Sequence, residues 1–408
     1  MQDNARSYRL TNIDMLRGLV IILMAIDHVR DFFIFGYAQV SMDQPDIPAS
    51  IYVTRWITHF CAPVFVFLAG TSAGLMAARK TRYELGAFLC KRGIWLIFIE
   101  IAVISTAWTF SPISGIPELG GRILIGLQVI WVIGASMIVL AGCQYLGRKA
   151  CLVIGACIVL GHNCLDVFWP SGNLLAGSDP IWYGLHTVSS WTAGPFLVVF
   201  RYPLLAWIGV MLLGYGTAFI FEKEPDARNR LLVWVGMVMF SAFVLIRASG
   251  LYGDPNAWKI QDGGLLPTFF DFMNLSKYPP SLLFLLATLG PMAVVCGYAD
   301  KLKGWLKDTL VMFGRVPFAF YIAHFYLIHS LSLLLAKYQG FEAKEFMTFF
   351  YFFPDGYGIS LGGVYLVWLL VLAILYPFCK WVAACLLYTS DAADDDTIVW
   401  LGGGGGWV

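Results

Sequence analysis

Runs of about 20 predominantly apolar residues recur along this chain, and a segment that long with so little charge is at home in the hydrocarbon interior of a bilayer. About ten such runs can be drawn, at 12–36, 54–77, 93–110, 122–141, 150–168, 204–221, 231–249, 281–299, 312–336 and 361–386. Composition supports the reading: 13% of residues are charged, against about 25% in soluble domains. Inside lipid a span must satisfy its own backbone, so the expected fold is an all-α polytopic membrane protein. The net charge is +1 and no basic cluster lies outside loop-like positions, so nucleic acid is not an expected partner. The nine cysteines are scattered without a CxxC pair. Most sit in apolar runs, where a thiol acts as a small hydrophobe, so neither a disulfide framework nor a metal site is expected. The first apolar run is long and no small-residue cleavage site follows it, so no cleavable signal peptide is expected.

The connecting segments alternate in charge. Arg79, Lys80, Arg82, Lys91 and Arg92 fall on one side, with Arg148 and Lys149, with Lys223, Arg228 and Arg230, and with Lys301, Lys303 and Lys307. Arg6, Arg9 and Lys380 join them, and the positive-inside rule then places both termini in the cytoplasm. The outer loops are 169–203, 250–280 and 337–360. Residues 1–386 are expected to form one transmembrane domain. The segment 387–408, which turns acidic and then into a Gly run, reads as a non-native-looking or disordered tail. No internal repeat stands out.

The first run carries chemistry that a plain span would avoid. It reads "DMLRGLVIILMAIDHVRD", with Asp27 and His28 side by side in its outer half. Thr11 and Asp14 have capping-box-like spacing at its start. Arg17 and His28 are eleven residues apart, three helical turns plus about 20°, and so share one stripe roughly 16 Å apart along the axis. Asp27 stands about 100° round the helix from His28 and need not touch it. Charges at depth cost about 2.5–3.5 kcal/mol each on insertion scales, which is why they pair or face a cavity. Arg30 and Asp31 are expected to be interfacial, with an Asp27–Arg30 pair at i,i+3 setting the depth of the helix. The neutral imidazole of His28 is the best general base available at neutral pH.

The motif "RLTNIDMLRGLVIILMAIDHVRDFF", followed by "TRWITHFCAPVFVFLAGTSAG", resembles the bacterial relatives of heparan-alpha-glucosaminide N-acetyltransferase. "RYPLLAWIGVMLLGYG", "FMNLSKYPPSLLFLLATLGP" and "GRVPFAFYIAHFYLIH" are similar to the same family, over residues 9–385 in all. The Arg-x10-His spacing on the first helix is also that of transmembrane acyltransferases of the acyltransferase-3 type. The resemblance implies an enzyme of a bacterial cytoplasmic (inner) membrane. It would take an acyl group, usually acetyl, from cytoplasmic acyl-CoA, a co-substrate and not a bound cofactor. It would pass that group to a hydroxyl or amine of a sugar or envelope glycan on the far side. By motif position His28 is the catalytic histidine, with Asp27 beside it, and Arg17 belongs to the acyl-CoA side. There is a departure: in the lysosomal member the position of His28 is an asparagine, and the active histidine lies near Gln39 here. Base catalysis and an acyl-imidazole route both remain open.

Other polar residues are candidates by position. Arg315 at a cytoplasmic end and His324 deep in its span are expected on the acyl-CoA side. Arg55 and His59 share a face at i,i+4, and with Asn274, Lys277 and Tyr278 before Pro279-Pro280 they are the expected acceptor-binding set. His324 and His329 are five apart and share no clean face, which argues against a metal pair. Glu100 is a lone acid within a span and must be protonated, paired or cavity-facing. Gly70 and Gly74 suggest close helix packing. His162 and His186 fall near outer loops and single out nothing. The competing function is a proton-coupled secondary transporter or exporter of a small anionic metabolite, with Asp27, His28 and Arg55 as relay; the lack of a repeat weighs against it. The acceptor, the acyl length and the oligomeric state, a homodimer among the options, are left open.

Overall fold

A computed structural model describes residues 10–36 and 47–392. Arg6, Arg9, Gln39 and the tail from 393 lie outside the described residues.

The molecule is a helical bundle, and seven of its described helices are long and apolar enough to cross a bilayer. Helix α1 (Thr11–Phe33) is one continuous rod. It is absent from that count because of its charges. Its N-cap is Leu10 with no side-chain cap, so the expected Thr11–Asp14 capping box does not form; Asp14 turns instead to Arg17, 3.6 Å away. Helices α2 (Ala49–Ile57) and α3 (Cys61–Met76) meet at a 3-10 turn, Thr58–Phe60. Gly70 and Gly74 pack as expected: a Cβ on Gly70 would stand 2.1 Å from a backbone oxygen of the later helix α8 (Leu204–Gly216). Helix α4 (Arg82–Ile99) opens on a formed capping box, Thr81 with Glu84. It then widens into a π-turn, Glu100–Ile104, before α5 (Ser105–Thr109).

The expected span at 122–141 is half strand. Gly120 and Gly121 adopt positive φ, the chain runs extended as β1 (Ile123–Leu127), and α6 starts only at Val129 (Val129–Cys143). Helix α7 is Arg148–Gly161. The long segment that follows holds β2 (Ser189–Ala193) and β3 (Phe196–Phe200) around a Gly194-Pro195 turn. The sheet order is β1-β3-β2, with β1 parallel and β2 antiparallel to β3. This small sheet departs from a purely α fold.

Helices α9 (Pro225–Ser249), α10 (Leu265–Phe272) and α11 (Leu282–Tyr298) come next, with α11 packed on α9. The expected span 312–336 is two helices, α12 (Trp305–Arg315) and α13 (Pro317–Tyr338). Val316 leaves the helical region, with φ −126° and ψ 43°. Pro317 has no N–H to lose in a first turn and restarts the rod. Helix α12 lies against α1 at a crossing only glycine permits. A Cβ on Gly314 would fall 1.8 Å from the Asp14 carbonyl oxygen, and one on Gly18 1.8 Å from that of Leu310. Helix α14 (Leu361–Ala392) completes the bundle, and Ile359 just before it bonds through its backbone to Phe33 and Phe35 at the end of α1.

Candidate active site

Helix α1 runs through the middle of this packing, touching α3, α11, α12, α13 and α14. Its two neighbouring polar residues therefore face different partners, as 100° of separation requires.

His28 faces α13. Its Nδ1 lies 2.6 Å from Nε2 of His324. The Nδ1 of His324 lies 3.0 Å from the carbonyl oxygen of Phe320, one turn back on α13. A carbonyl only accepts, so His324 must donate from Nδ1, and the Nε2 of a neutral ring is then an acceptor. His28 consequently donates from Nδ1, and its Nε2 is left with a free lone pair. That atom makes no hydrogen bond among the described residues. The hydrogen positions are assigned by this logic. Aromatic rings wall the imidazole: Phe325 at 4.2 Å between centroids, and Trp108 of α5 edge-on at 5.6 Å. His324 was expected on the acyl-CoA side. Fully buried, it spends both nitrogens instead, one on its own helix and one on His28.

Asp27 faces the other way. Its Oδ1 is 2.5 Å from an Arg30 nitrogen and accepts from the Thr58 hydroxyl at 3.0 Å. Its Oδ2 is 3.8 Å from Nζ of Lys277. No hydrogen bond joins it to His28 among the described residues. Arg30 also pairs with Asp31 at 2.9 Å. Both Arg30 and Asp31 are buried within the bundle, and the expected 27/30 pair forms. Two acids and two bases thus cancel inside the bundle, as buried charges must.

Lys277 reaches this cluster from the 250–280 loop. Burial alone would lower its ammonium, but Tyr278 and Asp27 together hold it above the usual lysine range. The Arg201 guanidinium lies 4.2 Å over the Tyr278 ring, and the Tyr278 hydroxyl donates to that of Tyr202 at 3.3 Å. Burial and the Tyr278 neighbour keep the Tyr202 phenol far above its usual range, so it remains protonated. His59 is buried beside Phe284 at 5.4 Å, with its Nδ1 unpartnered. Arg55 sits one turn before it, partly exposed. Asn274 offers its backbone carbonyl to Arg247 at 3.0 Å.

Arg247 is the residue that sequence reasoning passed over here. It closes α9 and binds the carbonyls of Phe272, Asn256, Asp271 and Asn274. Asp254 adds bonds to Ser276 and Ser281. Together they pin the loop that delivers Lys277 and Tyr278. At the end of an apolar run Arg247 reads as an ordinary flank, and nothing local marks it as a clamp.

Arg17, three turns below His28, donates to the Ser72 hydroxyl of α3. Arg92 of α4 lies close enough to feel the Arg17 charge, and 6.0 Å from the Phe318 ring. Arg315 ends α12 next to Gly314, whose backbone meets that of Asp14. Arg17 and Arg92 thus lie near one another beside the lower part of α1, with the end of α12 that carries Arg315 packed against the same stretch; Arg92 was read only as a loop flank.

The family profile described as heparan-alpha-glucosaminide N-acetyltransferase, catalytic, matches residues 9–249, more than half of the chain. The chain belongs to this family. No curated protein matches it in sequence. Within this heparan-alpha-glucosaminide N-acetyltransferase relative, the profile covers α1 with Arg17, Asp27 and His28, and also Arg55, His59 and Arg92. His324, Lys277, Tyr278 and Arg315 lie beyond it. The part of the site contributed by α13 and by the 250–280 loop thus lies outside the profile match.

The other polar candidates have structural work. Glu100 accepts from the Trp131 N–H at 2.8 Å, so the lone acid caps the otherwise uncapped start of α6. His329 lies 2.8 Å from the Ala107 carbonyl and 2.9 Å from that of Phe346. His186 pairs with Asp166 at 2.8 Å, and both His162 and His186 are buried. No group of three or more His, Cys, Asp or Glu among the described residues is placed to hold a metal ion.

Proposed function

We propose that the protein is a transmembrane acetyltransferase in which His28 Nε2 is the general base. The donor is acetyl-CoA entering from the cytoplasm, and the acceptor is an amine or hydroxyl of a sugar or envelope glycan reaching the site from the outer side of a bacterial inner membrane. The observation that carries the reading is the His28–His324 pair. It leaves one imidazole nitrogen unprotonated and unoccupied inside an aromatic wall, at the height on α1 where charge is costly.

Arg17, Arg92 and Arg315 attract the phosphates of the donor at the lower end. The separation of roughly 16 Å from Arg17 to His28 suits an extended pantetheine arm with the thioester near the imidazole. The acceptor N–H or O–H loses its proton to Nε2 as its heteroatom attacks the thioester carbonyl. The tetrahedral intermediate collapses, the C–S bond breaks, and the CoA thiolate takes the proton back from His28. As Nε2 becomes protonated, the Nδ1–H bond to His324 strengthens, because its donor now carries charge. Asp27 keeps the Lys277 ammonium in place, so Lys277, Tyr278, His59 and Arg55 form the acceptor side. The topology that goes with this has about ten spans and cytoplasmic termini, with residues 1–386 as the enzyme.

The test is thiol release from acetyl-CoA by the purified protein, with an amino sugar as acceptor and with His28→Ala and Arg17→Ala alongside. Turnover in wild type, binding without turnover in His28→Ala, and weakened binding in Arg17→Ala are expected. A wild-type protein that neither binds nor cleaves acetyl-CoA, yet carries proton-coupled flux in proteoliposomes, would overturn the reading.

A further inference from the structure

A second cationic feature lies apart from the α1 track, where the end of α3 meets the starts of α4 and α7. A pocket of about 180 Å³ opens there, lined among others by Lys80, Arg82, Gln144, Gly147, Arg148 and Tyr215. Lys80 and Arg82 flank the α3–α4 turn and are exposed. Arg148 begins α7, is partly buried, and donates to the Gly74 carbonyl while pairing with Glu222 at 2.8 Å. Gln144 is buried and donates to the Arg82 carbonyl at 2.6 Å, which fixes that turn against the end of α6.

Two further observations point the same way. The N-terminus of α7 opens on the pocket. Its N-cap is Gly147, with no side-chain cap and no acidic residue in the first turn, so its free N–H groups and positive dipole end are left for an anion. Tyr215, only 3% exposed, lines the same space, and its hydroxyl makes no hydrogen bond to a described residue. Charge decides the sign of the ligand. Arg148 and Glu222 pair with one another and Glu84 is bonded to Thr81, which leaves Lys80 and Arg82, whose Nη1 also donates to the Tyr145 carbonyl at 3.2 Å, as the cations facing the pocket. Size decides its class: pockets for whole drug-sized ligands run to about 300–1,000 Å³, so this one admits a single polyvalent head group. Arginine forks and a helix N-terminus together suit phosphate oxygens.

We propose that this pocket is a phosphate-binding site on the basic face of the bundle, read by Lys80, Arg82, the α7 N-terminus and the Tyr215 hydroxyl. It neighbours the donor track: Ser72, which takes the Arg17 bond, and Gly74, which takes the Arg148 bond, are two residues apart on α3. The phosphate belongs either to the nucleotide end of CoA or to the head group of an anionic phospholipid. The first assignment rests on the acetyltransferase reading; the site itself does not.

The experiment reads binding, not turnover, so its failure is distinct from failure of the enzyme reading. The full chain in detergent is titrated with inorganic phosphate at constant ionic strength, following thermal unfolding, beside Lys80→Gln, Arg82→Gln and Tyr215→Phe. Lys80 and Arg82 are surface residues, so their variants are expected to fold. A saturable rise in Tm is expected in wild type, with apparent affinity about tenfold or more weaker in each cation variant, the worth of one charge-assisted bond. CoA is then compared with its 3′-dephospho form, and nanodiscs with and without phosphatidylglycerol. The comparison whose difference disappears in Lys80→Gln names the source. No saturable shift in wild type, or equal shifts in wild type and both cation variants, overturns the proposal and leaves ordinary positive-inside flanks.

Discussion

His324→Ala is the perturbation that separates a working imidazole pair from a packed one. The bond in question is 2.6 Å long, from His28 Nδ1 to His324 Nε2. In the resting state it is neutral and fixes the tautomer. If His28 is the general base proposed above, it gains a proton in the transition state and the same bond acquires a charged donor. Hydrogen bonds to charged groups contribute about 1.5–3 kcal/mol, and 1.36 kcal/mol is a factor of ten in rate. The expected loss is therefore about 10- to 150-fold in kcat, with the KM for acetyl-CoA changed by less than about threefold, because the bond strengthens only as the proton moves. Truncating a fully buried ring also leaves a cavity, at a cost of order 2–5 kcal/mol in stability by analogy with other large-to-small changes, so Tm is measured in parallel. His324→Gln supplies the control. Its amide oxygen can accept from His28 Nδ1 and is expected to restore most of kcat. The assay is the initial rate of thiol release at saturating acceptor. A kcat within about threefold of wild type for His324→Ala, together with a clear drop in Tm, would show that His324 is packing and that the tautomer argument is wrong.

Four further outcomes follow from the packing. Arg30→Met strips Asp27 and Asp31 of their shared guanidinium and is expected to cost about 3–5 kcal/mol, read as loss of monodisperse protein or a large fall in Tm. Gly314→Ala places a methyl 1.8 Å from the Asp14 carbonyl oxygen and is expected to prise α12 from α1, costing about 1–3 kcal/mol or more; an unchanged Tm would mean the crossing is looser than described. Glu100→Gln keeps an acceptor for the Trp131 N–H and is expected to hold Tm, whereas Glu100→Leu orphans that donor at about 1–3 kcal/mol. Lys277 has a folded value above the ordinary 10.5, so its contribution is fully present below that pH and is lost as pH climbs through the raised value. Wild type is therefore expected to lose Tm on the alkaline side, and Lys277→Met to flatten that part of the profile.

What could be read from the sequence here was whatever depends on one helix at a time. The 100° between Asp27 and His28, the i,i+3 pair at 27/30 and the close packing of Gly70 and Gly74 are all consequences of helical period, and they hold. The failures occur where the backbone leaves that period under local pressure. Gly120 and Gly121 turn an apolar run into β1, and Val316 splits one expected span in two. Two short runs with β-branched and aromatic residues on either side of Gly194-Pro195 could have signalled the hairpin.

The partners are a different kind of gap. An ionisable group in a span announces that it must be compensated, because the alternative costs several kcal/mol. It does not say by what. His28 is answered from 296 residues away, and Asp27 by a loop lysine that stays in place because Arg247 holds four carbonyls of its loop. Each of these residues looks ordinary in its own neighbourhood: a core histidine, an interfacial lysine, a flanking arginine. The informative quantity in such a chain is therefore the uncompensated remainder. Once the charges of Asp27, Arg30, Asp31 and Lys277 are matched, the open Nε2 of His28 and the unpartnered Nδ1 of the nearby His59 are left without a structural purpose, and that remainder is where chemistry should be sought.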